Sequence, residues 1–451
     1  LEQQYPAYYS LKYDYKVPTI KMVQKYLKEA DNNETLVEYF MGDSSLYAFV
    51  ITSYNFRLHK LATTSKFTEQ LEVLRHYLST PTYTVTNAQQ HYQNYLSSAV
   101  YLYDQLLAPF VPISKEASAI PSLIIVPDGA LSFIPFEALL TDTFSSKKIR
   151  YELHKLPYAL KQYEISYAYS FALLQESRRL HEQQQQSSKA FSFVGFAPIF
   201  DTTNDSTEAI GCYVGQLAPL PHSETELQYL STLMPGEVYL RSAANKAQFL
   251  AQAPKHRLLH LSTHACIDDE QPLHNRIYLS GQESLPTFEL YKLRLNAQLA
   301  VLSACETGNG QLLRGEGVMS LSRAFLFAGC PSILNSLWSV NAESTSKLMQ
   351  YFYQGLQAGK TKPQALQMAK LAYLDEQKNA LSSPYYWAAF IHVGYPAALF
   401  TPSTFFSKVL PYFIGLLVFI LLLLFVYFFK RKNNKATPYS SDHNNRPSVS
   451  T

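Results

Sequence analysis

The chain is poor in cysteine and poor in charge. Its 451 residues contain four cysteines, at positions 212, 266, 305 and 330, with no C-x-x-C spacing among them. That excludes a dense disulfide scaffold and a zinc finger or ribbon, so each thiol has to be judged by itself. Charged residues make up only 16%, and 38 Lys+Arg against 35 Asp+Glu leave a net charge of +3. A basic footprint for a polyanion is missing, and no nucleic-acid partner is expected. The glycines of GNGQLLRGEG lack the Lys-Ser/Thr of a phosphate loop, which argues against nucleotide binding. The chain also lacks an initiator methionine, beginning at Leu1, so it is expected to be processed or a fragment of a longer protein.

What the chain does have is length and apolar content. At roughly 150 residues per domain it holds about three units, and 47% of it is hydrophobic. The longest uncharged run covers residues 409–429. As a helix rising 1.5 Å per residue, it would span about 31 Å, the thickness of a bilayer core. Lys430, Arg431, Lys432 and Lys435 follow it while only Lys408 closely precedes it. The expectation is a single-pass membrane protein with the tail, 430–451, basic, disordered and cytoplasmic, and the preceding domain on the other side. A tail-anchored cytoplasmic domain stays open as the alternative.

Before that run the apolar spacing alternates between two periods. Residues 36–51 read as two strands around a Gly-Asp turn, and 91–107 as a helix burying Leu96, Ala99, Leu102, Tyr103 and Leu106. A buried strand at 123–126 closes on Pro127-Asp128-Gly129, and the glutamine-rich stretch 181–190 reads as a surface loop. Further strands are expected at 191–196, 258–262, 299–303 and 332–337. Helices are expected from a capping box at Ser223–Glu226 and over 317–327, 343–356 and 363–374. This alternation predicts an α/β fold with a mainly parallel sheet covered by helices on both faces.

Two predicted strand ends carry reactive side chains. LLHLSTHA places His264 just past one, and LAVLSACETG places Cys305 just past another. Ligands and catalysis collect beyond strand C-termini in such sheets. A thiolate nucleophile needs a base and oxyanion donors, so these two residues form a candidate dyad. Taken singly, each is more often a structural residue. His256, His260 and His264 are spaced by four, but the segment reads as a strand without a general base, so no metal site is assigned and no cofactor is expected.

These segments resemble the CHAT-domain family, caspase/separase-like peptidase domains usually found behind tetratricopeptide repeats. The resemblance rests on EYFMGDSSLYAFVI, IIVPDGALSFIPFEALL, ISYAYSFALL, HLSTHA, LAVLSACETGNGQLLRGEGVMSLSRAFLFAGCPSILNSLWSV and PYYWAAFIHVG. It implies a caspase-like peptidase domain over 34–395, with a smaller α+β part over 34–115 and the α/β core over 116–395. Residues 1–33 would then be a linker from an upstream repeat region. It further implies a cysteine endopeptidase acting on a protein or peptide substrate, with His264 as base and Cys305 as nucleophile. Their separation, 305 − 264 = 41, is close to the roughly 50 residues of caspases. The implied oxyanion donors are the amides of Ala265 and Glu306. Asp268, Asp269 and Glu306 are candidates for a pocket taking a basic residue, and a regulatory protein bound by upstream repeats is an implied partner. Two positions depart from the family: Ala265 stands where Gly is frequent, and Asn341 where Asp is frequent. A catalytically silent signalling or scaffold module is the alternative function.

Overall fold

The structure is a computed structural model describing residues 17–30, 34–81, 87–111, 120–143, 152–186, 191–200, 217–268, 270–303, 308, 310–313, 317–339, 341–400, 414, 415, 421 and 424. In chain order its main elements are α1 (Ile20–Glu29), β1 (Glu34–Met41), β2 (Ser45–Ile51), β3 (Phe56–Ala62), α2 (Ser65–Ser79), α3 (Ala88–Leu106), β4 (Ser122–Val126), β5 (Glu164–Tyr167), α4 (Phe171–Gln185) and β6 (Phe193–Ala197). They continue with α5 (Ser223–Leu233), β7 (Gly236–Leu240), α6 (Lys246–Gln252), β8 (Leu258–Leu261), β9 (Ala265–Cys266), β10 (Arg276–Tyr278), β11 (Ser284–Pro286) and β12 (Leu299–Leu302). The last are β13 (Gly310–Leu313), β14 (Gly317–Ser320), α7 (Leu321–Phe327), β15 (Ser332–Ser336), α8 (Ala342–Gln357), α9 (Lys362–Glu376) and β16 (Phe390–Gly394). Polar caps set many helix starts: the side chains of Thr64, Asn87, Ser170, Asn341 and Thr361 each accept a backbone N–H of the first turn.

Among the described residues one sheet of eleven strands organises the fold, in the order β3-β2-β1-β4-β5-β16-β15-β12-β8-β6-β7. Strands β1, β4 and β5 run parallel, as do β15, β12, β8, β6 and β7. The halves meet at β16, which is antiparallel to β15 and parallel to β5 through the pair Val393–Tyr167. They therefore run in opposite directions on either side of a seam. Because β1 pairs with β4, residues 34–115 and 116–395 contribute to the same sheet.

Neighbouring residues of one strand bury into different cores, as the two-residue period requires. Val37 packs with residues of α2 and α3, while Leu36 packs with residues of α1 and α4. Likewise Leu258 joins residues of α5 and α8, and Leu259 joins those of α7. The expected mixed α/β fold, with a mostly parallel sheet and helices on both faces, is present.

Three local expectations need correction. Residues 181–185 are not a surface loop but the end of α4. His181 and Gln184 are buried there, and Gln184 Nε2 donates to the Gly329 carbonyl; glutamine is a good helix former. Helix α5 starts at Ser223 without the capping box, and Glu226 is turned into the core instead. Residues 317–320 are strand, and α7 begins only after Ser320, whose hydroxyl caps Arg323 N.

The membrane span expected over 409–429 is also corrected. Among the described residues no helix is long and apolar enough to cross a membrane, and of that stretch only 414, 415, 421 and 424 are described. An uncharged run reports side-chain hydropathy, whereas a span needs a continuous helix of about 20 residues. The single-pass topology and the two-sided placement of domain and tail fall with it. The tail at 430–451 lies outside the described residues.

Candidate active site

Strands β8 and β12 are hydrogen-bonded neighbours in parallel register, with Leu261 opposite Leu302. Ser303 N donates to the Leu261 carbonyl at 2.9 Å, extending the ladder past the last paired residues. The chain therefore leaves these two strands side by side, about 4.8 Å apart. His264 lies three residues beyond Leu261, and Cys305 three beyond Leu302. Cys305, Glu306 and Asp269 lie outside the described residues. On the far side of that segment, Gly308 N donates to the Ser336 carbonyl at 2.8 Å, anchoring the chain on β15.

His264 is 7% exposed. Its Nε2 lies 2.7 Å from the Ala218 carbonyl oxygen. A carbonyl only accepts, so Nε2 carries the proton and the neutral ring presents the Nδ1 lone pair. The Phe200 ring meets the imidazole edge-on at 4.8 Å between centroids. Burial lowers the imidazole pKa from its ordinary value, and the Ala218 hydrogen bond opposes that shift. A neutral ring in a fixed tautomer is the form a general base requires.

Ala265 and Cys266 form β9 and pair with β10, Ala265 opposite Ile277. Among the described residues the only non-glycine with a left-handed φ is Arg241. Alanine in place of the family's frequent glycine thus costs no backbone strain at 265. Asp268 sits in a turn, where its Oδ1 accepts the amides of Glu270 and Gln271 at 3.0 and 2.8 Å. Asn341 caps α8, its Oδ1 taking Ser344 N at 3.1 Å.

Several features here carry no signature in the sequence. Ala218 acts through its carbonyl, for which no side-chain type is diagnostic. His260 makes a buried bridge: Nδ1 is 2.8 Å from the Tyr353 hydroxyl and Nε2 2.9 Å from Glu226 Oε1. Among the described residues no group of three His, Cys, Asp or Glu is arranged to hold a metal ion. Cys266 is disulfide-bonded. Cys330 is free and buried, so the partner of Cys266 is Cys212 or Cys305, both outside the described residues. Spacing alone does not encode such a pairing, because a bridge depends on where the fold brings the two Cβ atoms.

Several known proteins resemble parts of this chain. The human tetratricopeptide repeat protein 28 is 22% identical over 350 residues, covering 68% of this chain and 13% of its own length. The mouse protein of that name is 31% identical over 130 residues, 28% of this chain and 5% of its own length. The chain thus spans a small fraction of these relatives. Among solved structures, the Saccharomyces cerevisiae separase–securin complex aligns at a TM-score of 0.49 and 11% identity, over 83% of this chain and 31% of that one. The Arg-specific cysteine proteinase gingipain R aligns at 0.39 and 9%, over 74% and 76%. The CHAT domain matches residues 97–395, and on that match, which takes in the strands leading to both His264 and Cys305, the chain belongs to the CHAT domain family.

Proposed function

We propose that this chain is a cysteine endopeptidase, with Cys305 as nucleophile and His264 as base. The observation that carries the reading is the adjacency of β8 and β12, the strands that His264 and Cys305 follow in the sequence. Family membership adds to it, since a CHAT domain with a peptidase-like core is the natural host for such a pair.

In this reading His264 Nδ1 takes the proton of Cys305 while Nε2–H stays on the Ala218 carbonyl. The thiolate attacks a peptide carbonyl, and backbone amides, with Ala265 and Glu306 as candidates, receive the negative charge on oxygen. The imidazolium returns its proton to the departing amine, leaving a thioester. Water, deprotonated by the same imidazole, hydrolyses the thioester and restores the thiol. The Ala218 carbonyl does the orienting that a third member does in other triads. Activity is conditional, because a histidine only 7% exposed admits substrate after local rearrangement. A regulatory protein bound by upstream repeats would supply that signal; the repeat-protein names of the relatives support this part.

The test is cleavage of protein and fluorogenic peptide substrates by the chain and by Cys305→Ala and His264→Ala. The proposal expects both variants to lose activity by at least about a hundredfold; unchanged cleavage by either removes the dyad. The alternative of a silent binding module gains ground if Cys305 is inert towards a thiol-reactive probe, as it would be if the Cys266 disulfide ended on Cys305.

A further inference from the structure

A recess opens at the seam between the two halves of the sheet. It encloses about 480 Å³ of empty space, partly open to solvent, and leaves about 40 Å³ for the centres of water molecules. One ordered water needs roughly 10–15 Å³ on that measure. Its walls include Tyr167 of β5 and Tyr169 beyond it, Ile391 of β16, and Asn335 of β15 and Leu337 just past that strand. Gly308, three residues after Cys305, closes one side. A side chain at 308 would run into Asn335 Nδ2, so glycine is what lets this segment lie against the recess.

Asn335 is 1% exposed, and among the described residues neither its Nδ2 nor its Oδ1 has a hydrogen-bond partner. Burying a carboxamide with both ends unmatched costs free energy unless something completes it. The two tyrosine hydroxyls of the lining are committed elsewhere: Tyr167 donates to Glu137 Oε2, and Tyr169 lies 2.8 Å from Ser320 Oγ. Among the described residues no lining side chain is an acid, a lysine, an arginine or a histidine.

We infer that this recess is the specificity pocket for the substrate residue preceding the scissile bond, and that it selects a primary carboxamide, glutamine or asparagine. The inference rests on the proposed peptidase function and names its substrate class. A carboxamide returns one acceptor and one donor to Asn335, satisfying both of its orphaned atoms at once. A lysine or arginine would satisfy Oδ1 but carry a charge against described lining residues that include no carboxylate, and a carboxylate would do the converse. Of the candidates for a basic specificity, Asp268 is engaged in its own turn and does not line the recess, and Asp269 and Glu306 lie outside the described residues.

Two measurements separate this inference from the function beneath it. The first is the rate at which peptidyl acyloxymethyl ketones bearing glutamine, norleucine, arginine or aspartate next to the warhead label Cys305 in the full chain, read by intact mass. Glutamine should lead norleucine by about tenfold or more, Asn335→Leu should erase that lead, and Asn335→Asp should move the preference to arginine. The second is the side-chain amide signal of 15N-labelled Asn335 on titration with N-acetylglutaminamide or N-acetylargininamide, each variant first checked for an unchanged melting transition. A shift with the glutamine compound alone supports the pocket even if no ketone labels Cys305, an outcome that overturns the peptidase and leaves the subsite. Labelling that favours arginine, or equal shifts with both compounds, overturns the pocket and leaves the peptidase. No shift with either, meaning that only water completes Asn335, also overturns it.

Discussion

His264 Nε2 donates a 2.7 Å hydrogen bond to the carbonyl oxygen of Ala218. Ala218 lies just ahead of α5, whereas His264 follows β8, so the tautomer of the candidate base is set by a segment 46 residues away in the chain.

That arrangement has a pH signature. Burial lowers the His264 pKa, so the ring remains neutral below the ordinary histidine value of about 6.5. The acidic limb of kcat/KM should therefore fall below pH 6.5, with activity lost as the ring is protonated. Phe200→Ala admits water to the ring edge and should move that limb upward. The ring-proton NMR titration of His264 in the two proteins measures the shift directly.

The His260–Glu226–Tyr353 bridge joins β8 to α5 and α8 in the core below the site. Removing one partner leaves a buried polar group unmatched, so Glu226→Leu should cost about 1–3 kcal/mol in urea unfolding. The double variant Glu226→Leu/His260→Leu should cost less than the sum of the singles, because the orphaned partner leaves too. Additive losses would show that the bridge contributes no coupling.

Lys362 opens α9 fully buried, its Nζ donating to the Tyr395 carbonyl at 3.1 Å. Burial pushes its pKa down from 10.5 to about 7. The unfolded chain thus binds more protons than the folded one between those values. Stability should rise with pH there by up to about 1.4 kcal/mol per unit from this group, and the contribution is lost as pH falls towards 7. Lys362→Met should flatten that rise. Urea midpoints at pH 7, 8 and 9 for both proteins provide the check.

Phe200 and Leu217, which bracket residues 201–216, both pack in the small cluster around Cys266. A bridge from Cys266 to Cys212 is the pairing that this packing favours. Non-reducing peptide mapping should recover Cys212 linked to Cys266 and Cys305 alkylated as a free thiol. Recovery of Cys266 linked to Cys305 would mean that the oxidised chain has no nucleophile.

Periodicity made the sheet's components legible. The alternation in 36–51 and the apolar runs at 258–262 and 299–303 became β1, β2, β8 and β12 within a residue or two. His264 and Cys305 stood out as a pair past two buried strands, since each by itself is more often structural. What stayed hidden depends on long-range placement: the opposed halves of the sheet, a backbone carbonyl as the orienting group, and an asparagine that reads as polar until its burial is known. Glu226 misled because Ser-x-x-Glu is a local capping signal, and a buried histidine across the core competed for its carboxylate.

The account turns on whether Cys305 is a nucleophile raised by His264. A thiol-reactive peptidyl probe, applied to the full chain and to His264→Ala under mild reduction, tests that most directly, with buried Cys330 as the internal control. The account predicts labelling at Cys305 alone among the thiols within the fold, slowed at least about a hundredfold in the variant. Labelling of Cys305 at the same rate without His264 would contradict it.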